Sequence, residues 1–358
     1  MINFSVGPVL MDEATRAIGS EEIPYFRTDA FSQIMFDNER MMKQLTSADE
    51  KTRLITLTGS GTLAMDATIL NCFTKKDKLL IINGGSFGAR FCEIADCYSI
   101  PFETIDLQFG EELTVEHFQN IEFSDFTGLV VNADETSSGV LYDMEMLGNI
   151  CKEHNLFFVV DAISSFLADP INISSARIDI LIAGSQKALA LPPGVSLILC
   201  SEKAQDRINN NLNPTYYQNL KRALKDGERG QTPFTPAVGI ILQLHEKLLR
   251  LSQKGIEQQI QKTQELATYF RKKVSQYNFE FVTTSPSNAV TALRVPEGVS
   301  AKRIFQELEH RFEIWICPNG GELSDKVFRV GHIGNLQKTD YDTLFNALDQ
   351  LKKEGIIR

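Results

Sequence analysis

Short apolar runs alternate with amphipathic stretches through the first two-thirds of the chain. The runs lie at Arg53–Thr58, Lys78–Asn83, Phe102–Leu107, Gly128–Asn132, Leu156–Asp161 and Ile178–Ala183. Short continuous apolar runs between turn residues are the pattern of strands buried on both faces. Between most of them, Leu63–Phe73, Ala89–Tyr98 and Met144–His154 space their apolar residues as helices do. Strand–helix–strand alternation with right-handed crossovers predicts an α/β fold, with a mostly parallel sheet and helices on both faces. Val195–Ser201 follows Pro192-Pro193-Gly194 too closely for a helical crossover, so it is expected to run antiparallel.

After Pro236 the pattern changes. Ala237–Leu251 and Glu257–Tyr277 read as long helices punctuated by Gly255. Short strands at Glu280–Thr283, Ala289–Val295 and Phe328–Val330 follow, with helices at Ala301–Arg311 and Tyr341–Glu354. The expectation is a large domain over 15–250 and a smaller α+β domain over 251–358, joined by the N-terminal segment 1–14.

Composition narrows the function classes. A net charge of -10 repels phosphate backbones, and no basic run interleaved with aromatics occurs, so nucleic acid is not an expected partner. No apolar run is long enough to cross a bilayer, and the start carries no basic, apolar leader pattern, so no membrane partner is expected either. The 6 cysteines are scattered without a CxxC pair, which suggests neither a disulfide framework nor a metal site, and points to a reduced, cytoplasmic setting.

In a parallel sheet, ligands bind at the carboxyl ends of the strands, so the polar residues that end the apolar runs are the candidates. Thr58-Gly59-Ser60-Gly61-Thr62 reads as strand, glycine turn and helix start, a cradle for a phosphate. The same stretch fits a dinucleotide fingerprint. The next strand, however, ends in Asn83-Gly84 and lacks the acidic residue that would hold a ribose. Gly84-Gly85-Ser86-Phe87-Gly88 matches a nucleophile elbow, so a serine hydrolase using Ser86 is the rival; His245, His310 and His332 follow it. The decisive pair is Asp161, ending one apolar strand, and Lys187, following another and succeeded by Ala-Leu-Ala-Leu-Pro-Pro-Gly. A desolvated lysine has a depressed pKa and serves as nucleophile and base. Phosphate cradle, lysine and strand-end carboxylate on one rim are the set that pyridoxal 5'-phosphate requires.

At these residues the chain resembles the class V, fold-type I pyridoxal-phosphate aminotransferases over nearly its whole length. Within them it is most similar to the 2-aminoethylphosphonate–pyruvate and alanine/serine–glyoxylate group. The matching segments are Gly7-Pro8, Gly59–Thr62, Asn83–Arg90, Glu135–Gly139, Val160–Ser165, Gly184–Lys187 with Pro193-Gly194, Phe234–Pro236 and Phe328–Gly331. The resemblance implies that Lys187 carries the cofactor as a Schiff base and shuttles the Cα proton, while Asp161 holds the pyridine nitrogen. It implies that Ser60, Gly61 and Thr62 cradle the phosphate with Thr235 of a partner subunit, aided there by Thr232. Phe87 and Ile163 would take the two ring faces, Thr136 and Gln186 the O3′ and phosphate side, and Arg329, with Gly7, the substrate. A homodimer follows by resemblance alone, as does ping-pong transfer from a small amine or amino acid to pyruvate or glyoxylate. Many relatives place a Trp, Tyr or His at the Phe87 position, where Phe keeps the stacking and loses the polar tip, and a His or Tyr at the Thr62 position, so the substrate side of the pocket is expected to be unusual. A desulfurase or lyase of the same class is the alternative within the family, disfavoured by Gln186 before the lysine and Phe87 on the ring.

Overall fold

The computed structural model describes residues 1–212 and 215–357. After a two-residue strand β1 (Ile2–Asn3), the apolar runs form β2 (Arg53–Thr58), β3 (Leu79–Asn83), β4 (Phe102–Asp106) and β5 (Gly128–Asn132). A short hairpin of β6 (Asp134–Glu135) and β7 (Val140–Leu141) precedes β8 (Phe157–Asp161), β9 (Ile180–Gly184) and β10 (Val195–Cys200). The large sheet has seven strands in the order β2-β10-β9-β8-β5-β3-β4. β10 is antiparallel to both neighbours, as its short connection requires, and the other pairings are parallel. The carboxyl ends of the remaining six strands therefore share one rim.

The continuous apolar strands are explained by two separate cores. Leu80, Ile82, Leu129, Val131, Phe158 and Val160 point into one; Leu79, Ile81, Val130, Phe157 and Val159 point into the other. Alternation along each strand sends neighbours to opposite faces, and each such buried side chain contributes about 1.5–3 kcal/mol. Helices Gly61–Cys72 and Ser86–Cys97 return the chain between the first parallel strands.

A second sheet contains β11 (Glu280–Phe281), β12 (Val290–Arg294), β14 (Cys317–Pro318) and β15 (Val327–Gly331), in the order β11-β12-β15-β14. β1 pairs in parallel with β13 (Ile314–Trp315). A third core joins Phe4 to Phe270, Ile304, Phe328 and Tyr341. The chain's start is thus anchored among residues from its last hundred, and the following segment runs back toward the rim.

Among the described residues, four α-helices lie outside those expected from the sequence: Glu13–Ile18, Asp29–Leu45, Glu202–Asn210 and Leu220–Gly227. The helix expected from Ala89 begins at Ser86, and the one expected from Tyr341 begins at Lys338. Among the described residues, no helix is long and apolar enough to cross a membrane.

Candidate active site

The turn after β9 carries Lys187 into the interior, 9% exposed. Its Nζ donates a hydrogen bond to the Val6 carbonyl at 2.5 Å. Burial depresses its pKa; Asp134 and Asp161 pull it back up, and Arg329 pushes it further down. Room for the lysine stem depends on Gly7. A Cβ there would lie 2.6 Å from Lys187 Cδ, and the φ of +118° disfavours any side chain.

Asp161 ends β8 and is 5% exposed. Its Oδ1 accepts the Ile163 N–H at 2.8 Å. Burial pushes its pKa up to about 6, against the Ile163 hydrogen bond and the charge of Lys187. Ile163 in turn packs onto the glycine turn after β2, where a Cβ on Gly61 would stand 2.3 Å from Ile163 Cδ1. At that turn Ser60 is the N-cap of helix Gly61–Cys72, yet its side chain makes no capping hydrogen bond. Ser60 and Thr62 are both exposed. The Ser60 hydroxyl and the N–H groups of Gly61 and Thr62 are left for an anion, while the Leu63 N–H donates to the Ser60 carbonyl at 2.9 Å.

The neighbouring helix start is already filled. Glu135, fully buried, accepts the N–H groups of Phe87 and Gly88, each at 3.1 Å. It also accepts the Asn132 amide at 3.3 Å and the Ser137 hydroxyl. This long-range cap is why the helix begins at Ser86 rather than Ala89. The half-buried Phe87 ring lies under the Arg90 guanidinium, 4.8 Å from its centroid, and Arg90 Nη1 donates to Thr62 Oγ1 at 3.4 Å.

Thr136 links two sides of the site. Its hydroxyl shares a hydrogen bond with Ser164 at 2.5 Å, and its carbonyl accepts from Arg329 Nη1 at 3.0 Å. Arg329 Nη2 donates to the Pro318 carbonyl at 3.0 Å and to Cys317 Sγ at 3.1 Å. Arg329 Nε and Gln186 Oε1 are buried without partners. Cys317 thus supports this arginine. Thr235 stands apart: it is exposed, on a segment lining a small cavity with Thr58 and Tyr217. Thr232 is buried, its hydroxyl donating to the Phe234 carbonyl at 2.7 Å.

Ser86 lacks the setting of a hydrolase nucleophile. Its backbone N–H meets Ser137 Oγ at 3.4 Å, while the histidines are engaged elsewhere. His332 is buried between Thr291 and Tyr341 at 2.8 and 3.0 Å, and His245 bonds Asn38 at 2.8 Å. His310 lies in helix Ala301–Phe312. The elbow motif is a glycine turn that lets Glu135 cap the helix.

Asp134 and Ser164 belong to the site but were not singled out from the sequence. Asp134 is 2% exposed, its Oδ2 has no hydrogen-bond partner, and it acts electrostatically on both Lys187 and Asp161. Burial, reinforced by Asp169, raises its pKa to about 8 from an ordinary 3.8, against a hydrogen bond from Ser164. Between these values the unfolded chain is ionised and the folded one holds the proton. Stability therefore falls as pH rises through that window, by about 1.4 kcal/mol per pH unit. Asp134→Asn in the ligand-free protein is expected to gain on the wild type by a few kcal/mol between pH 5 and 8.5. Urea unfolding at both pH values measures this, and an equal gap at the two would refute the buried, protonated carboxyl.

Residues 24–324 match the family described as Aminotransferase class-V. An uncharacterised aminotransferase of Methanocaldococcus jannaschii is 32% identical over 86% of this chain and 81% of its own. The structure of an aspartate aminotransferase of subgroup IV from Thermus thermophilus superposes with a TM-score of 0.88 at 27% identity, covering 97% of each chain. That of an alanine–glyoxylate aminotransferase from Nostoc sp. gives 0.92 at 25% identity, over 98% of this chain and 94% of the other. With a lysine and a carboxylate buried on the rim beside an uncapped helix start, and a family match across most of its length, the chain belongs to the class-V aminotransferases and is a transaminase.

Proposed function

We propose that this transaminase holds pyridoxal phosphate, the cofactor its family implies, on Lys187. What carries the reading is the convergence of a desolvated lysine, a buried carboxylate and a helix N-terminus whose capping residue leaves its hydroxyl free. Two further observations fit the group. Gln186 Oε1 and Arg329 Nε are buried polar atoms without partners. Gly61 brings the helix start against Ile163 with no room for a side chain.

When bound, the cofactor supplies a reactive carbonyl and a ring that draws electrons away from the substrate's Cα. Lys187 holds it and then moves the proton at Cα, a task suited to an amine whose pKa burial has lowered. Asp161 keeps a positive charge at the ring nitrogen. Ser60, Gly61 and Thr62 bind the phosphate, Phe87 and Ile163 enclose the ring, and Thr136 and Gln186 serve the O3′ side. Arg329, on the smaller domain 251–358 with 1–14, faces the donor's anionic group, with Gly7 keeping space beside the lysine. A planar guanidinium fork suits a carboxylate or phosphonate equally.

Thr235 completes the phosphate site from a partner subunit. Its exposure supports this, as do the neighbouring Tyr216 and Tyr217, 71% and 54% exposed and packed on Phe234. Reaction is ping-pong, from alanine, serine or 2-aminoethylphosphonate to pyruvate or glyoxylate. The test is the visible spectrum of the purified protein after addition of each donor separately. A yellow band bleached by one donor and restored by glyoxylate or pyruvate is expected. No band after reconstitution with pyridoxal phosphate would overturn the reading.

A further inference from the structure

A second cavity, of about 450 Å³, lies against the chain just beyond Lys187, where Ala188 and Ala190 line it. Helix Val238–Lys254, the start of helix Ile256–Val274, the N-terminal segment at Asp12 and the turn at Gly334-Asn335 complete its walls. Neither Lys187, Asp161 nor Arg329 is among its lining residues.

Its charge is out of keeping with the molecule. In a chain of net charge -10, this cavity gathers Lys247, Arg250, Lys254 and Lys262 against a single lining carboxylate, Asp12. Asp12 is already committed, 3.1 Å from Arg250 and 3.7 Å from Lys247, with Oδ1 also accepting the Thr15 N–H at 2.9 Å. Glu246, outside the cavity, stands 3.6 Å from Arg250 Nε, and that nitrogen has no hydrogen-bond partner. Lys254 and Lys262 form no ion pair among the described residues. Burial lowers the pKa of Lys247; Asp12 raises it, and Arg250 and Lys262 lower it again. Like charges held this close in a partly closed space are favoured by an incoming anion, which each of them attracts.

We propose that this cavity is a binding site for a compact small molecule bearing two or three negative charges. The volume falls within the range of small-molecule sites, about 300–1,000 Å³, and is far too small for a macromolecular surface. The lysines offer point charges, the amides of Gln258 and Asn335 add neutral donors, and Arg250, whose Nη1 and Nη2 already donate to Asp12 and Thr15 at 3.1 and 2.9 Å, adds its positive charge. Carboxylates and phosphoryl groups both satisfy this donor set. The site also adjoins the segment that reaches the catalytic lysine. Val6 O accepts from Lys187, Val9 N donates to Gln186 O at 3.3 Å, and Asn335 N donates to Leu10 O at 2.9 Å.

Isothermal calorimetry on the cofactor-loaded enzyme, with citrate and with pyrophosphate at low ionic strength, tests the proposal. One anion per chain is expected to bind, about tenfold or more weakly in Lys254→Ala/Lys262→Ala, with affinity falling as salt screens the charges. Both lysines are exposed, so this variant keeps its packing. Binding should survive Arg329→Ala. Citrate alone would assign carboxylates, pyrophosphate alone phosphoryl groups, and both would mean that charge alone selects. Silence with both anions, or unchanged affinity in the double lysine variant, overturns the site. Binding lost in Arg329→Ala but kept in the double variant would place the anion in the transamination site and overturn it equally. None of these readouts depends on turnover, so the proposed reaction stands or falls separately.

Discussion

Lys187→Ala is expected to lower transamination by at least about 10⁴-fold, because in the proposed mechanism one nitrogen serves as cofactor anchor and as proton carrier. The geometry suits both tasks. Nζ donates to a neutral carbonyl, Val6 O, at 2.5 Å, and its pKa is depressed chiefly by burial. A larger fraction of neutral amine is then present near neutral pH than on an exposed lysine. Alanine also removes the stem that fills the space beside Gly7, so Lys187→Met is the companion variant, retaining volume without the nitrogen. Both should lose turnover, and borohydride should fix no cofactor to the peptide carrying residue 187. Turnover within tenfold of wild type in the methionine variant would remove Lys187 from the chemistry.

The sequence made the strands of the large sheet legible because burial on both faces leaves little polar interruption within each run. Their order across the sheet was not legible; it depends on crossovers whose lateral placement no local pattern records. The helix Asp29–Leu45 escaped for a different reason. Its buried positions are few (Phe31, Asn38, Met41, Met42 and Leu45), and they are spread among polar residues, so the apolar stripe is faint. Its N-cap, Thr28, accepting from the Phe31 N–H at 3.2 Å, was the available signal. The helix at Lys338 likewise starts with a local capping box between Gln337 and Asp340, readable in principle. The early start at Ser86 was not readable, since its cap is Glu135, nearly fifty residues away. In the site, Lys187 and Asp161 stood out because each follows an apolar strand. Asp134 did not, as its raised pKa comes from burial and from Asp169, which only the fold brings near. Arg329 is legible only through family resemblance; in β15 it is a lone cation, and its contact with Thr136 reaches from the second sheet to the turn of the β6–β7 hairpin.

Asp161→Asn is the more discriminating substitution, because it removes a charge while keeping the shape. The retained oxygen can still accept the Ile163 N–H, now at 2.8 Å from Oδ1, so the loop that presses Ile163 onto Gly61 should hold its course. The negative charge is what the amide cannot supply. In the ligand-free protein burial lifts the Asp161 pKa to about 6. A cation at the ring nitrogen pulls it down again, by the ordinary effect of an opposite charge in a buried site. The wild type should therefore be active above that lowered pKa and lose turnover as pH falls through it. Asp161→Asn should lower kcat by about 10²-fold or more, still attach the cofactor, and lack that acidic limb because nothing at this position titrates. Steady-state kcat measured from about pH 3 to 8 in both proteins, over the range in which both stay folded, separates the cases. A variant with wild-type kcat would mean that the carboxylate does not serve the ring nitrogen. A variant with low kcat but an unaltered acidic limb would move the titrating group elsewhere, with Asp134 the next residue to replace.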